Sequence, residues 1–183
     1  MKTIGIIGGI GPESTIEYYR KIISSYLERQ VTTNYPHIVI NSIDMTNMLN
    51  LIGNGEYEDL ADYLASEVKK LEQAGAEFGV LASNTPHIVF NRVQEISQLP
   101  LISIVEVTGK KVASIGLKKV ALFGTKFTMQ GGFYDEVLSK YGIQVITPVE
   151  ADQQFIHEKY MGELVKGILL DQTRTGLISV IDK

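Results

Sequence analysis

A cluster of small polar side chains follows a short apolar run at residues 81–87, LASNTPH. Ser83, Asn84 and Thr85 offer two hydroxyls and an amide, which are groups that can bind a substrate carboxylate. Ser83 is the only candidate nucleophile or base among them, because the chain contains no cysteine. The same residue types favour helix N-caps, and Pro86 suits the first position of a helix, so capping is the structural alternative.

Two neighbouring features have a similar double interpretation. His87 is either a functional acid or a partly buried ring on the first turn of a helix, and the structural interpretation is favoured. The backbone N–H groups of Gly9, Ile10 and Gly11, in the run GGIGP, precede a helix and could hold an anion. The run matches neither the dinucleotide fingerprint nor the P-loop, so a tight turn without a ligand is the alternative.

Later segments add further candidates. Thr125 follows an apolar run and either binds a ligand or caps a helix. Asp44 either orients a ligand amine or starts a turn. Glu163 and Lys166 lie three residues apart in a predicted helix, where such pairs are usually exposed.

The elements that must position these residues alternate along the chain. Continuous apolar runs predict buried strands, and apolar residues at helical spacing predict helices between them. The predicted strands are residues 3–7, 37–43, 78–82 and 101–105, and the predicted helices include residues 12–27, 60–71 and 86–96. This alternation predicts the α/β class with a parallel sheet, in which ligands bind beyond the carboxyl ends of the strands.

A weak internal repeat suggests two lobes. Residues 119–124, KVALFG, mirror residues 3–8, TIGIIG, at an offset of 116. We therefore predict two similar α/β lobes, residues 1–115 and 116–183, with the ligand site in a cleft between them. The second lobe has only two predicted strands, so we expect it to be incomplete.

Composition excludes several classes of function. The formal net charge is -4 and basic residues do not cluster, which argues against nucleic acid binding. No apolar run approaches the length of a membrane span, and the short N-terminal apolar run is interrupted by Gly-Gly. We therefore expect a cytoplasmic protein. The three histidines are scattered, and no spacing indicates a metal site.

Together these segments resemble the aspartate/glutamate racemase family. The resemblance covers essentially the whole chain. It is carried by GIIGGIGPEST, LEQAGAEFGVLASNTPH, KVALFGTKFTM, GGFYDEVLSKYGI and the segment around GELVKG. It implies a cofactor-independent racemase with two α/β lobes related by a pseudo-twofold axis. The implied partners are a small acidic amino acid, aspartate or glutamate, and a second copy of the chain in a homodimer.

The resemblance also implies a mechanism. In such racemases two groups on opposite sides of the α-carbon exchange its proton, and cysteines usually fill both roles. Ser83 lies at the first cysteine position, as a natural variant or as a replacement. Asn84, Thr85, Thr125 and the backbone of residues 9–11 would hold the substrate, without pyridoxal phosphate or metal.

Departures from the family pattern lead us to expect impaired activity. A serine hydroxyl is a far weaker acid than a thiol. The second cysteine, normally in a Gly-Cys-Thr-Glu stretch after a further strand, is not found before Lys183, so the chain is expected to lack the C-terminal part of the family. An arginine common after the second strand is also absent, which leaves Lys166 as a possible anchor for the distal carboxylate. A non-catalytic binding protein for a dicarboxylate or amino acid is the alternative.

Overall fold

The structure is a computed structural model that describes residues 2–29 and 34–183. By its internal contacts the chain divides into two units, Met1–Ile104 and Val105–Lys183. The sequence analysis placed the boundary between residues 115 and 116. That boundary stays a prediction.

The first unit contains a four-stranded parallel sheet, as the alternating pattern predicts. Its strand order is β2-β1-β3-β4, so β1 is central and pairs with both β2 and β3. The strands are β1 (Ile4–Gly8), β2 (Ile38–Ser42), β3 (Phe78–Leu81) and β4 (Leu101–Ile102). The apolar run of β1 is explained by this central position, because its side chains are covered on both faces. The α/β class with parallel sheets is confirmed.

Among the described residues, four α-helices and one 3-10 helix complete the first unit. They are α1 (Pro12–Arg29), α2 (Met45–Gly53), α3 (Tyr57–Gln73), the 3-10 helix Thr85–Val89 and α4 (Phe90–Ile96). Helix α3 buries Leu60, Leu64, Val68 and Leu71, the residues whose spacing predicts it.

Two sequence-based predictions in this unit were wrong in part, and one helix was missed. Residues 86–96 do not form one α-helix, because the segment starts as a 3-10 helix and becomes α-helical only at Phe90. Strand β4 ends at Ile102, and Val105 lies in the following helix. Helix α2 was not predicted, although Met48 and Ile52 are buried one turn apart on it.

The second unit has a two-stranded parallel sheet with five α-helices and one 3-10 helix. Its strands are β5 (Lys119–Ala121) and β6 (Gln144–Ile146), and β5 is shorter than the predicted run of residues 119–124. The helices are α5 (Ile104–Ser114), α6 (Lys126–Gln130), α7 (Phe133–Ser139), α8 (Glu150–Gly162) and α9 (Asp171–Ile181). Lys166 lies in a 3-10 helix, Leu164–Lys166, rather than in the predicted α-helix. None of the helices within the described ranges is both long enough and apolar enough to span a bilayer.

Candidate functional site

The carboxyl ends of three neighbouring strands bring the predicted loops of the first unit together. Gly8 is paired with Ser42 in the ladder, and Ile7 is paired with Leu81. The loops that follow these strands therefore leave the same edge of the sheet. The Ile43 N–H donates to the Gly8 carbonyl oxygen at 2.9 Å, which joins the first two of these loops directly.

The glycine-rich loop has a backbone that favours glycine at Gly9. Gly9 has a φ of +80°, and a Cβ there would lie 2.5 Å from the carbonyl oxygen of Ile43. The Gly9 N–H donates to Thr15 Oγ1 at 3.0 Å, so a substrate would have to displace that bond. Ile10 and Gly11 are buried, and within residues 2–29 and 34–183 neither backbone N–H donates a hydrogen bond. These two groups are therefore the better candidates for anion binding.

Ser83 is held through its carbonyl group, while its two donors have no partner in the described part of the chain. It is half-buried, and its hydroxyl and backbone N–H both make no hydrogen bond to the described part of the chain. Its carbonyl oxygen, in contrast, accepts a hydrogen bond from His87 Nδ1 at 3.0 Å. The residue is thus fixed through its carbonyl group, and its two donors are available to a ligand.

His87 holds this loop in place as a neutral ring. The side chain is 3% exposed, and burial lowers its pKa from 6.5 to about 4. Nε2 accepts the N–H of Ile104 at 3.3 Å, so Nδ1 carries the hydrogen that is donated to Ser83. The ring also stacks on Phe90, with ring centroids 5.0 Å apart. This geometry supports the structural interpretation of His87, since both nitrogens are already engaged.

Asn84 and Thr85 differ in burial. Thr85 is buried, whereas Asn84 is exposed. Asn84 is the N-cap residue of the 3-10 helix, yet its side chain makes no capping hydrogen bond there. Capping therefore does not account for the amide at position 84, and substrate binding by Asn84 and Thr85 stays a prediction.

The first turn of helix α1 contributes two contacts that the sequence analysis missed. Ser14 Oγ donates to the carbonyl oxygen of Ala82 at 2.7 Å, and Thr15 accepts the Gly9 N–H. One helical turn therefore fixes both the glycine-rich loop and the residue that precedes Ser83. The sequence feature that could have indicated these contacts is the Ser14-Thr15 pair in the first turn of the helix predicted to start at Pro12.

Asp44 acts as a helix cap. Its Oδ1 accepts the N–H of Thr46 at 2.8 Å at the start of α2. This contact supports the turn interpretation over the amine-binding one. Within the described ranges, no three histidine, aspartate or glutamate residues lie close enough together to hold a metal ion.

In the second unit, Thr125 caps helix α6. Its Oγ1 accepts the N–H of Thr128 at 3.1 Å, and the two hydroxyl oxygens are also 3.1 Å apart. The capping interpretation is therefore supported, and ligand binding by Thr125 stays a prediction. Lys166 is exposed, and Glu163 pairs with Lys159 rather than with Lys166.

Comparisons with known proteins agree on one family. The family model described as Asp/Glu/Hydantoin racemase matches residues 7–183. The broad specificity amino-acid racemase RacX of Bacillus subtilis is 30% identical over 146 residues, which cover 78% of this chain and 63% of RacX. The chain thus spans less than two thirds of the length of that curated relative.

Two solved structures are similar over most of the chain. A protein from Yersinia pestis assigned as an Asp/Glu racemase has a TM-score of 0.87 and 33% identity, and the match covers 100% of this chain and 80% of that one. An aspartate racemase homologue from Pyrococcus horikoshii has a TM-score of 0.76 and 36% identity, with 92% of this chain and 74% of that one covered.

Proposed function

The chain belongs to the Asp/Glu/Hydantoin racemase family, and we propose that it racemises an amino acid by moving the proton on the α-carbon. The observation that supports this most directly is Ser83, which lies at the edge of the sheet with its hydroxyl and N–H both available. Ser83 also falls where the family resemblance places the first acid/base residue. Two-base transfer requires a second group on the opposite face of the α-carbon.

The chemistry of Ser83 determines which half of the reaction it performs. An amino-acid α-carbon is a much weaker acid than a hydroxyl, so a hydroxyl gives its proton readily to the carbanion. Removing the α-proton would require the alkoxide, which is scarce near neutral pH. In our proposal another base removes the α-proton, Ser83 delivers a proton to the carbanion, and the resulting alkoxide regains a proton from water. A thiol at this position would work in both directions.

The transition state needs donors for the substrate carboxylate, whose oxygens gain negative charge as the α-proton leaves. The N–H groups of Ile10, Gly11 and Ser83 are free donors within the described ranges. Preorganised backbone donors of this kind stabilise a developing oxyanion without reorganisation. Asn84 and Thr85 are proposed to hold the substrate amine or its second polar group.

For the substrate we propose an acidic amino acid, aspartate or glutamate. The support is the family description and the Pyrococcus horikoshii relative, which is called an aspartate racemase homologue. RacX is described as having broad specificity, so a panel of amino acids is the appropriate test. Substrate binding by Thr125 and Lys166, the homodimer and the lack of a cofactor stay predictions from the family resemblance, and the cytoplasmic location stays a prediction from the sequence.

The alternative function is non-catalytic binding of an amino acid or dicarboxylate. It is favoured by one observation, namely that Ser83 replaces the usual thiol in a chain without cysteine. Both functions predict binding, but only the racemase exchanges the α-proton.

The deciding experiment incubates the chain with each enantiomer of a panel of amino acids in D₂O. Proton NMR follows loss of the α-proton signal, and circular dichroism follows the change in handedness. We expect exchange for at least one acidic amino acid. Binding detected by calorimetry with no exchange for any panel member would favour the alternative.

A further inference from the structure

Ser14, in the first turn of α1, makes a hydrogen bond to a residue far away in the sequence. Its side chain is half-buried, and its hydroxyl donates to the carbonyl oxygen of Ala82, 68 residues along the chain, at 2.7 Å. Ala82 is 0% exposed, and its own N–H donates to the Ile7 carbonyl oxygen at 2.9 Å. Ala82 is therefore fixed from both sides, by the central strand and by helix α1.

The peptide group affected by this contact is the one that joins Ala82 to Ser83. Its carbonyl oxygen accepts the Ser14 hydroxyl, and its N–H, which belongs to Ser83, has no hydrogen-bond partner in the described part of the chain. A peptide whose carbonyl accepts a hydrogen bond is polarised, and its N–H becomes a stronger donor. The next carbonyl, that of Ser83, accepts from His87.

We propose that Ser14 is a positioning residue for Ser83. It fixes the plane of the Ala82–Ser83 peptide, and it strengthens the Ser83 N–H as a donor to a negatively charged group. The only hydroxyl hydrogen of Ser14 is already donated to Ala82, so Ser14 acts on Ser83 through the intervening peptide. The catalytic part of this inference rests on the proposed function, whereas the polarisation of the peptide does not.

The first test is an NMR measurement that needs no activity. In Ser14→Ala we expect the Ser83 amide proton to move upfield, because its peptide loses the hydrogen bond at the carbonyl. Ser14→Thr keeps a hydroxyl and should retain the wild-type position. The matched control is Ser24→Ala on the same helix, where the hydroxyl donates to the nearby Lys21 carbonyl oxygen at 3.2 Å on an exposed surface.

The second test measures α-proton exchange in D₂O for the same variants. We expect kcat of Ser14→Ala to fall about tenfold, which corresponds to one hydrogen bond, with KM nearly unchanged. The reason is that the Ser83 N–H matters most when charge develops in the transition state. Ser14→Thr should recover most of the rate, and Ser24→Ala should behave as wild type.

The outcomes separate this inference from the proposed function. An unchanged Ser83 amide resonance in Ser14→Ala would overturn the inference, as would an equal shift in Ser24→Ala. A shifted resonance with unchanged kcat would overturn the catalytic part. If the wild-type chain exchanges no amino acid, the proposed function fails, and the amide resonance still decides whether Ser14 polarises the peptide.

Discussion

The two strand-to-helix turns related by the internal repeat use the same residue types in different ways. In the first unit, a Cβ on Gly8 would lie 2.5 Å from Thr15 Cγ2. In the second unit, a Cβ on Gly124 would lie 3.1 Å from Thr128 Cβ. A Cβ at Gly8 would therefore clash with Thr15, whereas a Cβ at Gly124 would make only a tight contact with Thr128.

The difference lies in what the threonine hydroxyls bind. Thr15 takes the N–H of Gly9 and leaves those of Ile10 and Gly11 without a partner in the described ranges. In the second unit, Thr125 accepts the Thr128 N–H and shares a further bond between the two hydroxyls. The comparison teaches that the two turns use their threonine hydroxyls differently, because Thr15 holds the backbone of the loop whereas Thr125 caps the helix that follows.

The largest effect expected is on catalysis, at Ser83. Ser83→Ala removes the proton donor, and we expect racemisation, followed by circular dichroism, to fall roughly a thousandfold, the usual scale for a lost acid/base group. Ser66→Ala is the control, since its hydroxyl donates to the Tyr63 carbonyl oxygen on an exposed surface of α3. Racemisation by Ser83→Ala within a few-fold of wild type would show that the proton donor lies elsewhere.

The next effect is on stability, at Gly9. Gly9→Ala forces a Cβ against the Ile43 carbonyl oxygen at 2.5 Å in a left-handed backbone, and we expect a loss of about 4 kcal/mol in unfolding free energy. Gly132 in the second unit also has a positive φ, of +73°, but nothing lies near its would-be Cβ. Gly132→Ala should therefore cost about 1–2 kcal/mol, from backbone strain alone. Equal losses in urea denaturation would contradict the clash at Gly9.

The third effect is a pH dependence that arises from His87. The pKa of His87 is about 4 in the folded chain, below its ordinary value of 6.5, because the ring is buried. Between these two pH values the unfolded chain therefore binds more protons than the folded chain. The contribution of His87 to stability is fully present above pH 6.5 and falls as the pH drops towards 4. Between about pH 7 and about pH 5 we expect a loss of about 2 kcal/mol from this residue.

The measurement for His87 is urea denaturation at both pH values. His87→Asn should be less stable than wild type at neutral pH, because a packed ring is lost, and its stability should depend less on pH. His37, an exposed histidine, provides the control variant His37→Asn. A wild-type pH slope that survives in His87→Asn would show that other groups cause it.

The smallest effect is expected at Thr125. Thr125→Val removes the oxygen that caps α6 and should lower unfolding free energy by about 1 kcal/mol. Thr175→Val, at an exposed position of α9, removes a hydroxyl without removing this cap and should change stability little. If Thr125→Val is as stable as Thr175→Val, the second turn does not depend on its cap.

Much of the fold follows from local patterns. The four residues Leu60, Leu64, Val68 and Leu71 predict α3, because a helix places them on one buried face. The prediction of a strand over residues 101–105 was wrong beyond Ile102, because a short apolar segment fits a buried strand or a buried helix turn equally well. Helix α2 was missed since Asp44 was read as a turn residue rather than as its cap.

The site was predictable in residue type but not in detail. The sequence singled out Ser83 and the glycine-rich loop because both follow predicted strands of one sheet. The Ser14 contact with Ala82 could not be predicted, since it joins residues 68 apart through the packing of α1 on the sheet. The neutral state of His87 depends on burial and on a bond to Ile104, and neither is visible in sequence spacing.

The most direct test replaces Ser83 by cysteine and measures α-proton exchange in D₂O as a function of pH. A thiol titrates near pH 8.5, far below a hydroxyl, so it can both take and give the proton. We predict that Ser83→Cys exchanges faster than wild type, with a rate that rises through the titration of the thiol. A Ser83→Cys variant that exchanges no faster than Ser83→Ala would contradict the assignment of residue 83 to the reacting position.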